Sequence, residues 1–292
     1  MIKFTKMVAT GNDFIMIDNR KSIIRNRAEF ARKYCCQHFG IGADGAIFIE
    51  NPPYSPFHKG GLRGIIMHDV SFRMRIFNPD GSEAEMCGNG ARCAARFAYL
   101  TGIVGKPEMR FQTLAGIISA TVVRDGARIG MREPAELELD KKLPVGKECF
   151  TVHYIDTGVP HTVLIRKNIG DIDIMKIAPP IRYHKAFPKG TNVDFIQIVN
   201  RHRIKMRTYE RGVEDETFAC GTGAVAAATV SSLLGHTKPP VEVVVKGGLL
   251  KVGFEVKSQC SAPRGYPIYR TEQRMLNVTL EGEVKVVYEG EV

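Results

Sequence analysis

Short runs in which apolar and polar residues alternate dominate the chain. Phe72, Met74 and Ile76, then Ile117 to Val123, Phe195 to Val199, Val241 to Val245 and Val284 to Tyr288 follow a period near two, which predicts strands. In Arg201 to Arg207 the basic residues Arg201, Arg203, Lys205 and Arg207 alternate with His202, Ile204 and Met206, the pattern of a strand with one solvated face. Three segments carry helical signals. The first is expected over about Arg27 to His38, behind Asn26 with Glu29 in the capping-box position, and it should stop at Gly40. The other two begin directly after a cysteine.

Those two helix starts show that the chain repeats itself. Cys87-Gly88-Asn89-Gly90-Ala91 opens a helical stretch through Leu100 to Gly102, and Cys220-Gly221-Thr222-Gly223-Ala224 opens another through Leu234 to Gly235, 133 residues later. Each follows an acidic, turn-like segment, Phe77 to Glu83 in one half and Tyr209 to Asp215 in the other. Earlier in each half, Gly42-Ala43-Asp44-Gly45 and Gly190-Thr191-Asn192-Val193, 148 residues apart, lead into apolar strands. Unequal spacings mean a diverged duplication with insertions. The expectation is an α+β protein of two pseudo-symmetric domains, each a strongly curved, barrel-like mixed sheet around one central helix, with the active site in the cleft between them. The crossing is expected near Gly130 to Pro134. Asn51 to Gly64 and Ser258 to Tyr266, broken by Pro, Gly and Ser, read as surface insertions, and Lys59 to Gly64 as a mobile loop rather than an RNA contact.

Composition narrows the class. With 292 residues, 44% hydrophobic and 25% charged, the chain can bury a sizeable core and is not disordered. Its seven cysteines are odd in number and contain no C-x-x-C pair, which argues against a disulfide framework and a zinc ribbon. The first residues show no secretory signal. The apolar stretch Ala224 to Leu234 is interrupted by Thr229, Ser231 and Ser232 and falls short of the roughly 20 residues of a membrane span. A cytoplasmic protein with reduced thiols, without a membrane partner, is expected. The net charge of +10 invites a nucleic-acid reading, but the cations are dispersed and lack interleaved aromatics, so no nucleic-acid partner is expected.

A helix start offers unpaired N–H groups and partial positive charge, which bind carboxylates and lower the pKa of a thiol placed there. Glycines next to the thiol leave those donors uncovered. Two such thiols in matching halves could take a proton from one face of a carbon and return one to the other, inverting a stereocentre with neither metal nor organic cofactor. Cys93, Cys35 and Cys36 read as helix packing residues, and Cys149 and Cys260 have no glycine-rich helix start beside them.

At these residues the chain resembles diaminopimelate epimerases, end to end. The resemblance runs through Gly11-Asn12-Asp13-Phe14, Phe77-Asn78 with Asp80 to Glu83, Cys87 to Cys93, Pro160-His161, Gly190 to Phe195, Tyr209 to Gly212 and Ala219 to Ala224. It implies two pseudo-symmetric domains with the last strand returning to the first, hence 1–130 plus 279–292 and 131–278. It also implies conversion of LL- to meso-diaminopimelate without a cofactor, for lysine and peptidoglycan synthesis, and it admits a homodimer. By the resemblance Cys87 and Cys220 are the acid/base pair. Gly88, Asn89, Gly221 and Thr222 hold the reacting carboxylate, and His161 and Glu210 tune the thiols and contact substrate amino groups. Asn12, Asn78, Asn192 and Arg211 bind substrate, Arg211 as a bidentate clamp on the distal carboxylate. The sequence departs from many members at Val159 and Gly45, where they carry asparagine and glutamine, and at Val8, where histidine is common. The alternatives are a related racemase for a histidine- or proline-type amino acid and, remotely, a thiol redox or RNA-binding protein. A substrate without a second carboxylate has little use for Arg211.

Overall fold

The computed structural model describes residues 1–52, 70–260 and 271–292. The chain divides into two compact units, Met1–Ile129 with Glu281–Val292, and Gly130–Leu280. Of the two expected insertions, residues 53–64 and 261–266 lie outside the described residues, Lys59 to Gly64 among them. Residues 258–260 instead continue a strand.

The first unit runs β1 (Lys3–Ala9), β2 (Asn12–Asp18), α1 (Arg27–Tyr34), β3 (Gly45–Glu50), β4 (Phe72–Phe77), β5 (Glu83–Ala84), α2 (Gly88–Leu100), β6 (Glu108–Thr113), β7 (Gly116–Val123) and β8 (Gly126–Gly130). The second runs β9 (Ala135–Val145), β10 (Glu148–Asp156), β11 (Pro160–Ile165), α3 (Ile174–Arg182), β12 (Asn192–Asn200), β13 (Arg203–Glu210), β14 (Asp215–Thr217), α4 (Gly221–Leu233), β15 (Val241–Val245) and β16 (Gly248–Cys260). The chain returns through β17 (Thr271–Glu283) to β18 (Lys285–Glu291), which pairs antiparallel with β1.

The pairing signs repeat. In the first unit β1–β2 is antiparallel, β2–β3 parallel, β3–β4 and β4–β5 antiparallel, β4–β6 parallel and β6–β7 antiparallel. In the second, β10–β11, β11–β12, β12–β13, β13–β14, β13–β15 and β15–β16 follow the same order of signs. Two sets of strands with one order of pairing signs are what a duplication produces.

Each set of strands packs on a helix that is buried nearly all round. In α4 every residue from Gly223 to Ser231 is buried, and in α2 those from Asn89 to Ala95 with Phe97 and Ala98. Such helices must be surrounded by protein, and α2 packs against β1, β2, β3, β4 and β7, α4 against β10 to β13, β15 and β16. The second helix of each unit covers other strand positions. Phe30 of α1 packs with Ala46, Phe48 and Phe77, and Ile174, Ala178 and Ile181 of α3 pack with Val193 and Phe195. Ile47 faces Gly90 of α2, so β3 is apolar on both faces.

Three expectations shift. The first helix stops at Tyr34, because the chain folds back onto its last carbonyls. Ile41 and Gly42 donate to Tyr34 O, and a Cβ on Gly40 would meet the Lys33 and Tyr34 oxygens at 2.7 Å. Cys36 therefore lies beyond the helix and is exposed, whereas Cys35 and Cys93 are buried. Helix α3 was not anticipated, since Pro179 and Pro180 lie inside it. The basic strand begins at Arg203, with Ile204 and Met206 buried and Arg203 and Arg207 paired to Glu242 and Glu216.

Candidate active site

The α2 start is built around Cys87. As N-cap it has extended backbone (φ −139°, ψ 122°), and its sulfur accepts from Gly90 N at 3.5 Å. The first helical N–H groups, those of Gly88 and Asn89, have no carbonyl one turn back to bond. A side chain at Gly90 would put its Cβ 2.9 Å from Ile47 Cδ1, so any other residue there would need the Ile47 side chain to shift. Asn89 Nδ2 donates to Asn12 Oδ1 at 2.5 Å, and Asn12 Nδ2 donates to Asp44 Oδ2 at 3.0 Å. Beneath them Arg92 is 0% exposed, with Nη2 donating to both Asn89 Oδ1 and Thr10 Oγ1 at 2.7 Å. Its Nε and Nη1 have no hydrogen-bond partner among the described residues, and burial pushes its pKa below the ordinary arginine value.

The α4 start repeats the device. Cys220 is the N-cap (φ −121°, ψ 113°), its sulfur accepts from Gly223 N at 3.4 Å and lies 3.3 Å from Thr222 Oγ1, and Thr157 Oγ1 donates to Thr222 O. A Cβ on Gly223 would lie 2.7 Å from Asp194 Oδ1 and 3.3 Å from His161 Cε1, so a side chain there would displace the Asp194 carboxylate. His161, fully buried, bonds Thr222 Oγ1 through Nε2 at 2.9 Å and Asp194 Oδ2 through Nδ1 at 2.7 Å.

The electrostatics here correct one expectation. Cys220 is not a low-pKa thiol: burial pushes it well above the ordinary thiol range, and the carboxylates of Glu210 and Asp194 push the same way, outweighing the Thr222 hydroxyl and the Gly223 N–H. Burial also raises Glu210 above the usual carboxylate value. A helix start lowers a thiol pKa only when its dipole exceeds the cost of desolvation.

Of the site residues expected from the sequence, Cys87, Gly88, Asn89 and Asn12 gather at the α2 start, and Cys220, Gly221, Thr222, His161 and Glu210 at the α4 start. Asn192 is buried between Pro160 O, to which it donates, and Arg211 N, from which it accepts, so it anchors the Arg211 backbone. Arg211 is half-buried and spends one Nη1 donor on Lys189 O at 2.9 Å. Asn78 is exposed and donates to Ser82 Oγ within its own turn, with no bond to the α2 start. At Gly45 a Cβ would sit 2.8 Å from Phe77 O, which accounts for the missing side chain there. Arg92 and Asp194 were not singled out from the sequence. Among the described residues no group of three or more His, Cys, Asp or Glu side chains is placed to hold a metal ion, and no helix is long and apolar enough to cross a membrane.

Comparison with known proteins bears on this arrangement. The profile of the family described as diaminopimelate epimerase matches residues 4–137 and 153–266. The diaminopimelate epimerase of Aquifex aeolicus is 41% identical, over 99% of this chain and 97% of its own length. That of Methanocella arvoryzae is 39% identical, over 100% and 96%. Among solved structures, the Bacillus anthracis phenazine biosynthesis protein of the PhzF family superposes with a TM-score of 0.67 at 15% identity, over 100% of this chain and 98% of its own, a likeness of fold. With a duplicated fold, a cysteine capping the same helix in each half, and relatives that match over nearly their whole length, the chain belongs to the diaminopimelate epimerase family.

Proposed function

We propose that the protein epimerises LL-diaminopimelate to meso-diaminopimelate by a two-base mechanism in which Cys87 and Cys220 act on opposite faces of one α-carbon. The observation that carries the mechanism is the repeated helix start: in each unit a cysteine sulfur caps the helix, and the first N–H groups beside it have no intrahelical acceptor, the arrangement that suits a carboxylate. The thiolate takes the α-proton, the carbanion is stabilised as its carboxylate gains charge against the N–H groups of Gly88, Asn89, Gly221 and Thr222, and the thiol returns a proton to the other face. The resting charges favour one assignment. Burial and the carboxylates of Glu210 and Asp194 favour the thiol form at Cys220.

Arg211, positioned by Asn192, would clamp the distal carboxylate, with Asn12 and Asn78 completing the polar contacts and Glu210 facing a substrate amino group. The chemistry uses only the chain's own side chains and backbone N–H groups, calls for no nucleic-acid or membrane partner, and suits a cytoplasmic biosynthetic enzyme; it is compatible with a homodimer.

The test is proton NMR of LL-diaminopimelate incubated with the protein in deuterated water. The α-proton signal at the inverted centre should vanish as the meso isomer appears. Exchange of histidine or proline, with diaminopimelate untouched, would contradict the substrate assignment.

A further inference from the structure

One side of β12 carries chemistry beyond the effect of its charge on Cys220. Asp194 is 0% exposed, in a strand whose Val193 and Phe195 belong to the apolar cluster under α3. A carboxylate buried this deeply persists only when its oxygens are bonded. Oδ2 lies 2.7 Å from His161 Nδ1 and Oδ1 accepts from Thr208 Oγ1 at 2.7 Å.

An ionised carboxylate can only accept, so His161 carries its proton on Nδ1 and presents a lone pair at Nε2. Thr222 then donates its hydroxyl proton to Nε2, and its oxygen is free to accept from the Cys220 thiol 3.3 Å away. Every bond in the chain from Cys220 through Thr222 and His161 to Asp194 therefore points one way. The absence of a Cβ at Gly223 makes room for Asp194 and His161 under the helix start.

We propose that Asp194 is a positioning residue for Cys220: by holding Nδ1–H of His161 it keeps Nε2 as the acceptor that ends a proton chain from the Cys220 thiol through Thr222. The proposal rests on the epimerase reading above and adds to it. When Cys220 must serve as base, its S–H bond breaks with the electron pair left on sulfur. The proton joins Thr222 Oγ as the former Thr222 proton passes to His161 Nε2. The result is a thiolate and an imidazolium whose two N–H groups face Thr222 and Asp194, and the reverse transfer restores the thiol. Without that counter-charge a buried thiolate beside Glu210 and Asp194 would be strongly disfavoured.

Nitrogen-15 NMR of histidine-labelled wild-type protein reads the tautomer directly. The proposal expects His161 to carry its proton on Nδ1, and a proton on Nε2 with bare Nδ1 would overturn it. Asp194→Asn, whose amide can present either oxygen or NH₂, should lower kcat by roughly 10²- to 10⁴-fold, as loss of the correct tautomer does in a catalytic triad, with KM within about threefold of wild type. Thr222→Val should act through the same chain, so the double variant should be within about threefold of the worse single one. Retention of more than half of kcat by Asp194→Asn, or additive losses, would overturn the proposal. Wild-type protein inert toward diaminopimelate would remove the epimerase reading instead, and the tautomer spectrum would still decide for or against Asp194.

Discussion

The two helix starts share one backbone and differ in charge. In both, a cysteine in extended conformation caps the helix and a glycine three residues on donates to its sulfur. Under Cys87 lies a buried arginine; under Cys220 lie a buried aspartate and a half-buried glutamate. The duplication offsets make the contrast specific. Val225, buried in α4, occupies the place of Arg92, and Ala46, buried in β3, that of Asp194. Duplication supplied two equivalent thiol sites, and the residues beneath them have diverged in charge.

Removing either thiol tests the equivalence. Cys87→Ala and Cys220→Ala should each lower turnover by on the order of 10³-fold or more, with circular dichroism unchanged, since inversion needs both a donor and an acceptor. A substantial residual rate in either variant would break the symmetry of roles. Serine should also be severe, because a hydroxyl is a much poorer base near neutral pH.

Arg92 tests the contrast. Replacing a buried, incompletely bonded cation by an apolar group of similar volume is often neutral or stabilising, so Arg92→Met should have a melting temperature no lower than wild type. Its kcat/KM should nonetheless fall by about 100-fold, because Asn89 and Asn12 lose the anchor that sets their orientation. Calorimetry beside kinetics checks this; a variant that loses stability and activity in parallel would assign Arg92 to the core alone.

Arg211→Lys keeps the charge and loses the planar fork. A charge-assisted bond is worth about 1.5–3 kcal/mol, so kcat/KM on diaminopimelate should fall roughly ten- to 100-fold. A monocarboxylic amino acid should be almost indifferent to the change. The smallest effect expected is on thiol reactivity. Glu210→Gln removes a negative charge that disfavours the Cys220 thiolate, so the thiolate fraction at a given pH must rise. Alkylation of Cys220, followed by mass spectrometry, should quicken by roughly three- to tenfold below its pKa; an unchanged rate would mean that burial alone holds the thiol protonated.

The features legible in the sequence are those in which neighbouring residues carry the signal. A cysteine followed by two spaced glycines marks a helix start on its own, and seeing it twice exposes the duplication. Helix α3 was hidden by Pro179 and Pro180, although Asp173 caps it and Ile174, Ala178 and Ile181 fall on one face. The duplication itself carried a signal for it, because α1 occupies the same place in the first unit. Asp194 and Arg92 were hidden for another reason. An aspartate between Val193 and Phe195 reads as the polar phase of a strand, and an arginine one turn into a helix reads as surface. Their partners, His161 and Thr10, are 33 and 82 residues away and meet them only through the fold. The raised pKa of Cys220 was unreadable for the same reason, since burial is a property of the packed unit.

The central claim is that both thiols serve one substrate, and it implies that they can meet. Exposed to air without reductant, the protein should lose activity as Cys87 becomes disulfide-linked to Cys220, with activity restored by dithiothreitol. Peptide mapping under non-reducing conditions is the measurement. A Cys87–Cys220 peptide appearing in step with inactivation is the predicted result; an air-inactivated sample in which both thiols remain unlinked would contradict the account.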